Sequence, residues 1–413
     1  MPLLVSSNDL QPGMRLAEAF LHRGRTMLPG GKSLTTEDVD ILLRKYPDAM
    51  LKVGDPVLDS VVEFENDSRE REVAATVTQQ ISAAMADVQQ RFSNHTNLSG
   101  IDFGGIRNTV SSVIDYLKNN PVSAALINRM GTDQSYLAEH AGNVFYLCMV
   151  LGSGVKDYVV KERQRQTAAS SLSTALAMDL MPLGLGAMLM DIGMTPLQHL
   201  FKPDYALTEE DQKAIFEHTA VGADMLPDSI PAAAKMVVRW HHENFDGSGY
   251  PEKKAGSSLH VFVRIARICD AFDAATSEKC YKEPKSPVRA LWEMSFGPYR
   301  KYYDPVLMKV FTSIIQPFPI GAKLKLVDGR MGVVVKYNRK SPFQPTVVVA
   351  FDAEGNRLTA DKLEGPLNVG EENDLRLASY GEEDLRYVSE TSEIQADRAA
   401  GNRFADLMEA VFP

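Results

Sequence analysis

Cysteine is scarce: three thiols (Cys148, Cys269 and Cys280) in 413 residues. Spaced so widely, they form no disulfide framework, and a reducing cytoplasm suits them. Positive charge is also short. Forty-four Lys and Arg face 54 Asp and Glu, for a net charge of −10. This excludes a protein whose main task is to coat DNA or RNA, because attraction to phosphate needs a basic surface, but it leaves room for a small anionic ligand in a local pocket. No run reaches the roughly 18 apolar residues of a membrane span. The most apolar one, Met181 to Met194, is shorter and carries Asp191. The opening MPLLVSSNDL lacks a basic region followed by an apolar one, so no secretory signal is expected and the cytoplasm is the expected location. What is there is ordinary for a globular chain of two to three domains: 44% hydrophobic and 24% charged residues.

Residues 1–65 mix short apolar runs with Gly-Pro turns and read as a small α/β module. Thr35 followed by Asp38 resembles a capping box opening a helix that carries Val39, Leu42 and Leu43. A second box, Asp67 with Glu70, opens a linker helix over 66–95. Its apolar residues Val73, Val77, Ile81, Met85, Val88 and Phe92 recur at spacings of three and four. Such a stripe fits a helix docked on its own core, or one that pairs with a second copy or a signalling partner.

Residues 96–317 read as helical almost throughout, from Ile106–Leu117 to Val288–Met294. After Pro317 the period changes to two. Leu324 and Leu326, the turn Asp328-Gly329, then Met331, Val333 and Val335 predict a hairpin, and Val347–Phe351 and Leu375–Ala378 predict further strands. The expected architecture is therefore multidomain and mainly α. A helical domain is flanked by the α/β module and by a small β-barrel-like domain over 318–390, with a C-terminal helix over 391–413.

Within the helical region several polar groups sit in apolar context. His140 lies among Leu137, Val144 and Phe145; taken alone, it reads as a core histidine. Asp191 ends the run Leu189-Met190, and a buried carboxylate without a partner is costly, so it calls for a metal or a donor network. Asp270 and Asp273 pose the same question, although a solvent-facing pair fits them equally well. His218, His241 and His242, with Glu243 and Asp246, add nitrogen donors and acids. Few Lys or Arg adjoin them, so a shared cation explains the set better than separate ion pairs do. Imidazoles with carboxylates suit divalent Fe, Mn or Zn.

The run His241-His242-Glu243-Asn244-Phe245-Asp246-Gly247-Ser248-Gly249-Tyr250-Pro251 resembles the HHExxDGxGYP signature of the HD-GYP family, and the flanks around His218, Asp270-Ala271-Phe272-Asp273 and Tyr281 agree. The resemblance covers roughly residues 125–315. It implies a helical, metal-dependent phosphodiesterase that opens cyclic di-GMP. His140, Asp191, His218, His241, His242 and Asp270 would be metal ligands, with Asp191 and His218 at the catalytic centre. Gly247, Gly249, Tyr250 and Pro251 would shape the substrate loop.

The chain departs from that pattern at four positions. Met190 stands where the dyad should carry histidine, a soft donor in place of an imidazole. Met194 replaces a phosphate-touching lysine, Lys279 replaces an arginine, and Tyr136 stands where some members place a glutamate. Lys202, Lys279 and Lys282 remain to contact substrate. The resemblance thus implies a divalent-metal cofactor with one ion fewer than usual. Two functions follow from it: a phosphodiesterase with low or absent hydrolysis, or a non-catalytic module that senses cyclic di-GMP or binds other proteins.

Overall fold

In this computed structural model the described residues are 3–22, 25–47, 49–63, 76–77, 79–84, 86, 103–119, 136–166, 172–201, 208–277, 284–370 and 375–390. The Asp67 box, most of the linker stripe, the C-terminal helix and Lys202, Lys279 and Lys282 lie outside them. So does the side chain of Tyr136.

The first elements are short. Strand β1 (Leu3–Ser6) pairs antiparallel with β4 (Met50–Val53), and β2 (Phe20–His22) pairs with β3 (Arg25–Leu28). Helix α1 (Thr36–Lys45) starts at the expected capping box, where the Thr35 side chain accepts from Asp38 N–H and the Asp38 carboxylate accepts from Thr35 N–H. Helix α2 (Pro56–Val61) is capped by Asp55. Beyond it, Val77 and Ile81 of the stripe are fully buried.

The helical unit, Arg69–Ile315, follows. It holds α3 (Phe103–Asn119), α4 (Tyr136–Gly154), α5 (Lys156–Gln166), α6 (Thr174–Ala177), α7 (Met181–Leu189), a 3-10 segment (Ile192–Phe201), α8 (Glu209–Met225), α9 (Ala232–Trp240), α10 (Val261–Thr276), α11 (Pro287–Ser295) and α12 (Pro305–Ile314). Helices α4 and α7 are apolar on nearly every face, as core helices must be, and α10 is also mostly buried although it carries Arg264, Arg267, Asp270 and Asp273. Around them pack α3, α9 and α12. By length and composition alone the stretch Thr174–Leu197 could cross a membrane. In the fold it is broken into α6, α7 and most of the 3-10 segment, and its most apolar 18-residue window is 61% buried, as a core segment is.

The chain ends in a six-stranded antiparallel sheet ordered β10-β9-β5-β6-β7-β8 and the short helix α13 (Arg386–Glu390). Its strands are β5 (Lys323–Leu326), β6 (Met331–Lys336), β7 (Thr346–Phe351), β8 (Glu364–Asn368), β9 (Leu377–Tyr380) and β10 (Glu383–Asp384). The expected hairpin is β5–β6, with Lys323 opposite Val333. The barrel-like expectation is overturned: among the described residues β8 and β10 stand at opposite ends of the order and do not pair with each other, so the sheet does not close. Alternating residues report which face is buried and carry no information on closure, which depends on the last strand meeting the first. Edge β8 contains Pro366, and β10 is two residues long, both features of strands that end a sheet. This sheet packs with the chain's first elements as one compact unit, Met1–Ser68 with Gln316–Ala410. Arg357 grips the Asp55 carboxylate at 2.7 and 3.0 Å, and Leu4 N–H donates to the Gly321 carbonyl at 3.0 Å.

Candidate metal centre

Five elements of the helical unit deliver the site. His140 comes from α4, Asp191 from the turn after α7, His218 from α8, His241 and His242 from the end of α9, and Asp270 and Asp273 from α10. A close backbone approach allows this. A Cβ on Gly193 would lie 2.1 Å from the His218 carbonyl oxygen, so only bare backbone lets the 3-10 segment press on α8. Asp191 Oδ1 then sits 3.4 Å from His218 Nε2 and 3.6 Å from His241 Nε2, and its Oδ2 lies 3.5 Å from His140 Nε2. Asp270 faces the same group, with Oδ1 3.2 Å from His140 Nε2 and Oδ2 3.5 Å from His242 Nδ1. All six expected ligand residues are thus gathered in one place.

The ring nitrogens are oriented from behind. His218 Nδ1 meets the Ile215 carbonyl, and His241 Nδ1 meets the Val238 carbonyl at 2.9 Å. A carbonyl only accepts, so each Nδ1 carries a proton; in the neutral imidazole each Nε2 turns a lone pair inward, and in the protonated one it donates towards Asp191. The two Nε2 atoms face each other at 3.3 Å. Two lone pairs at that distance repel unless a proton or a cation lies against them. Ligand atoms of His218, His241 and His242 lie within 4.8 Å of one another, a donor set that fits a divalent ion.

His140 is held differently. Its Nδ1 lies 2.7 Å from Asp273 Oδ2, and the other oxygen, Asp273 Oδ1, is buried with no hydrogen-bond partner among the described residues. The sequence singles out Asp273 as a carboxylate but assigns it no role; its i,i+3 spacing from Asp270 on a buried helix is the signal that places it on the same face.

Charge in the cluster follows from these contacts. Burial works against the His140 imidazolium, yet the bonds to Asp270 and Asp273 outweigh it and hold its pKa well above the ordinary value. Burial likewise opposes ionised Asp191, but hydrogen bonds from His218 and His241 keep its pKa well below normal. His218 is raised, Asp191 overcoming burial, and Asp270 is lowered, His140 overcoming burial. Burial, then the charge of His241, pushes His242 well down, so it stays neutral with a free lone pair.

The signature loop is built around Glu243, which is almost fully buried. Its carboxylate accepts from the N–H groups of Glu252 (2.6 Å) and Lys254 (3.1 Å), so it ties the loop's two ends and does not join the donors. Asp246, the other acid added to the set, caps the turn through Ser248 N–H and Oγ. Gly247 has φ +82°, and a Cβ on Gly249 would lie 2.3 Å from Asn244 N. Tyr250 stacks on His242 at 4.8 Å, and Phe216, 55% exposed, meets the Tyr250 ring edge-on at 4.6 Å. Pro251 is exposed beside them. Met190 and Met194 are buried.

A family model described as HD domain matches residues 156–307. Cyclic di-GMP phosphodiesterase PA4108 of Pseudomonas aeruginosa is 28% identical over 66% of this chain and 62% of its own length. The response regulator RpfG of Xanthomonas campestris, a cyclic di-GMP phosphodiesterase, is 36% identical over 29% of this chain and 33% of its own. The 3'3'-cGAMP-specific phosphodiesterase 2 of Vibrio cholerae is 29% identical over 29% of this chain and 24% of its own. The chain thus spans less than two thirds of these relatives. Bd1817, an HDG"Y"P protein from Bdellovibrio bacteriovorus, is similar over 75% of this chain and 97% of its own, with 14% identity and a TM-score of 0.41, too slight a likeness to carry an argument. The chain is related to the HD superfamily. Over part of its length it is similar to cyclic di-GMP phosphodiesterases, and within that part His218, His241 and His242 could together hold a metal ion.

Proposed function

We propose that this chain is an HD-GYP-type, metal-dependent phosphodiesterase for cyclic di-GMP or a related cyclic dinucleotide, with one metal position weakened and slow hydrolysis. One observation carries the reading: the inward-facing nitrogens of His218, His241 and His242 converge beside ionised Asp191. These four would hold a divalent ion such as Fe or Mn. Bound there, it would make hydroxide available near neutral pH and offset charge developing on the phosphodiester. The second position would be left with His140, Asp191 and Asp270, since Met190 offers only a thioether where the family's dyad has an imidazole.

The chain's own groups do the rest. Asp191 and His218 would position the attacking oxygen. Tyr250 and Phe216 present aromatic faces on which a base can stack, a contact worth about 1–3 kcal/mol. Gly247, Gly249 and Pro251 hold that loop in place. Relatives named as phosphodiesterases for cyclic di-GMP and 3'3'-cGAMP support the substrate class.

Metal analysis of the purified full chain, with product detection from cyclic di-GMP under Mn or Fe(II), tests the proposal. Bound metal and linear product are expected, with Met190→His raising both. Binding of the dinucleotide without product, unchanged by Met190→His, favours the alternative of a sensing module. A metal-free chain that binds no nucleotide removes both readings.

A further inference from the structure

The metal cluster is rich in carboxylates, and a phosphodiester approaching it needs a cation beyond the metal. Neither methionine near Asp191 supplies one: Met190 and Met194 are apolar and buried. Arg264, on α10, is buried and committed to Glu162, Asp304 and Tyr158. Arg239 is spent on Glu252 and Asp224, away from the cluster.

One turn of α10 before Asp270 lies Arg267. Its Nη1 is 3.6 Å from Asp270 Oδ2, the oxygen that also faces His242 Nδ1 at 3.5 Å. Its Nε donates to Asn244 Oδ1 at 2.9 Å, within the signature loop, and the guanidinium lies 5.6 Å from the centre of the Tyr303 ring. Across Val261–Asp270 every residue is buried except this one, whose side chain is 16% exposed, so Arg267 lies at the border between core and solvent. The Nε bond and the ring fix the plane of the fork, while the longer Nη1 contact leaves N–H donors for an incoming anion.

We infer that Arg267 is a substrate-positioning residue that grips a phosphate oxygen of the dinucleotide beside the metal cluster. A guanidinium suits this task because it stays charged and pairs with phosphate through two N–H groups. Its fixed charge next to Asp270 also offsets negative charge where the metal set is incomplete. This role rests on the phosphodiesterase reading for the identity of the ligand, and on the geometry alone for the presence of an anion site.

The experiment is calorimetric titration of cyclic di-GMP into the metal-loaded full chain, together with a phosphorus NMR titration of inorganic phosphate. Wild type, Arg267→Gln and Arg267→Lys are compared, with metal content and Tm recorded for each. Arg267→Gln should weaken the dinucleotide by about 10- to 100-fold at unchanged metal content, the size expected for losing a charged hydrogen-bonded contact. Arg267→Lys should fall between, since it keeps charge and loses the fork. A folded Gln variant that binds both probes like wild type overturns the assignment and leaves the phosphodiesterase reading intact. Arg267-dependent phosphate binding without dinucleotide binding overturns that reading and supports the anion site. Wild type that binds neither probe overturns both. Should the Gln variant not fold, the Lys variant decides: weakened binding at unchanged Tm supports the grip, and full affinity for both probes overturns it.

Discussion

Asp273 touches none of the inward-facing nitrogens, yet it decides where one of them points. Its carboxylate holds His140 Nδ1, and Asn there removes the charge and offers one acceptor oxygen beside a competing N–H donor, so the ring is held less firmly. The expected outcome for Asp273→Asn is about 10–100-fold weaker metal binding and a lower Tm of the metal-free chain near neutral pH, read by metal competition and thermal melting. Gly249 sets a second limit. A methyl group there meets Asn244 N at 2.3 Å, so Gly249→Ala should cost about 1–3 kcal/mol and shift the loop, seen as a lower Tm and weaker dinucleotide binding. The ionisable residues set a pH dependence. His140 and His218 have raised pKa values, so in the metal-free chain their stabilisation is complete below the unfolded value near 6.5 and is lost as pH rises through their folded values. His242 is lowered and acts oppositely, but only below about 6.5, where it must stay neutral while the unfolded chain protonates. The Tm of the metal-free chain should therefore fall as pH rises above about 6.5, and added metal should restore more stability at the higher pH, because imidazoles bind metal when neutral.

Among the elements, α10 bears the most weight. At one end Arg264 forms a buried network with Glu162 of α5, with Tyr158, and with Asp304, whose carboxylate also caps α12. At the other end the same helix presents Arg267, Asp270 and Asp273. Removing the Arg264 charge leaves the buried Asp304 carboxylate without its cation, while Glu162 keeps Arg165, so Arg264→Met should destabilise the helical unit by about 3 kcal/mol in denaturant melts. Most of these helices are legible from periodicity: the expected Ile106–Leu117 lies within α3, and Val288–Met294 lies within α11. Helix α5 shows no apolar stripe, because six of the eleven residues of Lys156–Gln166 are charged and only Val159 is buried. The 3-10 segment escapes for another reason. It depends on Gly193 meeting the His218 carbonyl, a contact made between two separate stretches of chain.

At the scale of the molecule, two compact units are built from one chain, and one of them joins the first elements to the strands that follow Gln316. The strands of 323–384 share a unit with the elements of 3–61 through contacts such as Arg357 to Asp55, 302 positions apart. Truncation after Ile315 should therefore leave the histidine cluster protected and strip hydrogen-exchange protection from residues 3–61, a pattern read by native exchange with mass spectrometry. Equal protection in both forms would show that the first elements fold unaided.

The order of amino acids alone was enough for the types of donor, the helical periods, the capping box at Thr35 and the hairpin at Asp328-Gly329, because each is a pattern of near neighbours along the backbone. It also carried the signature from His241 to Pro251. Folding in three dimensions decided the rest: which nitrogen of each imidazole faces inward, that Glu243 ties a loop, that Asp273 and Arg267 flank the donors, and that the sheet stays open. Each of these depends on groups from distant stretches arriving within a few ångströms of one another, and local periodicity carries no record of such meetings.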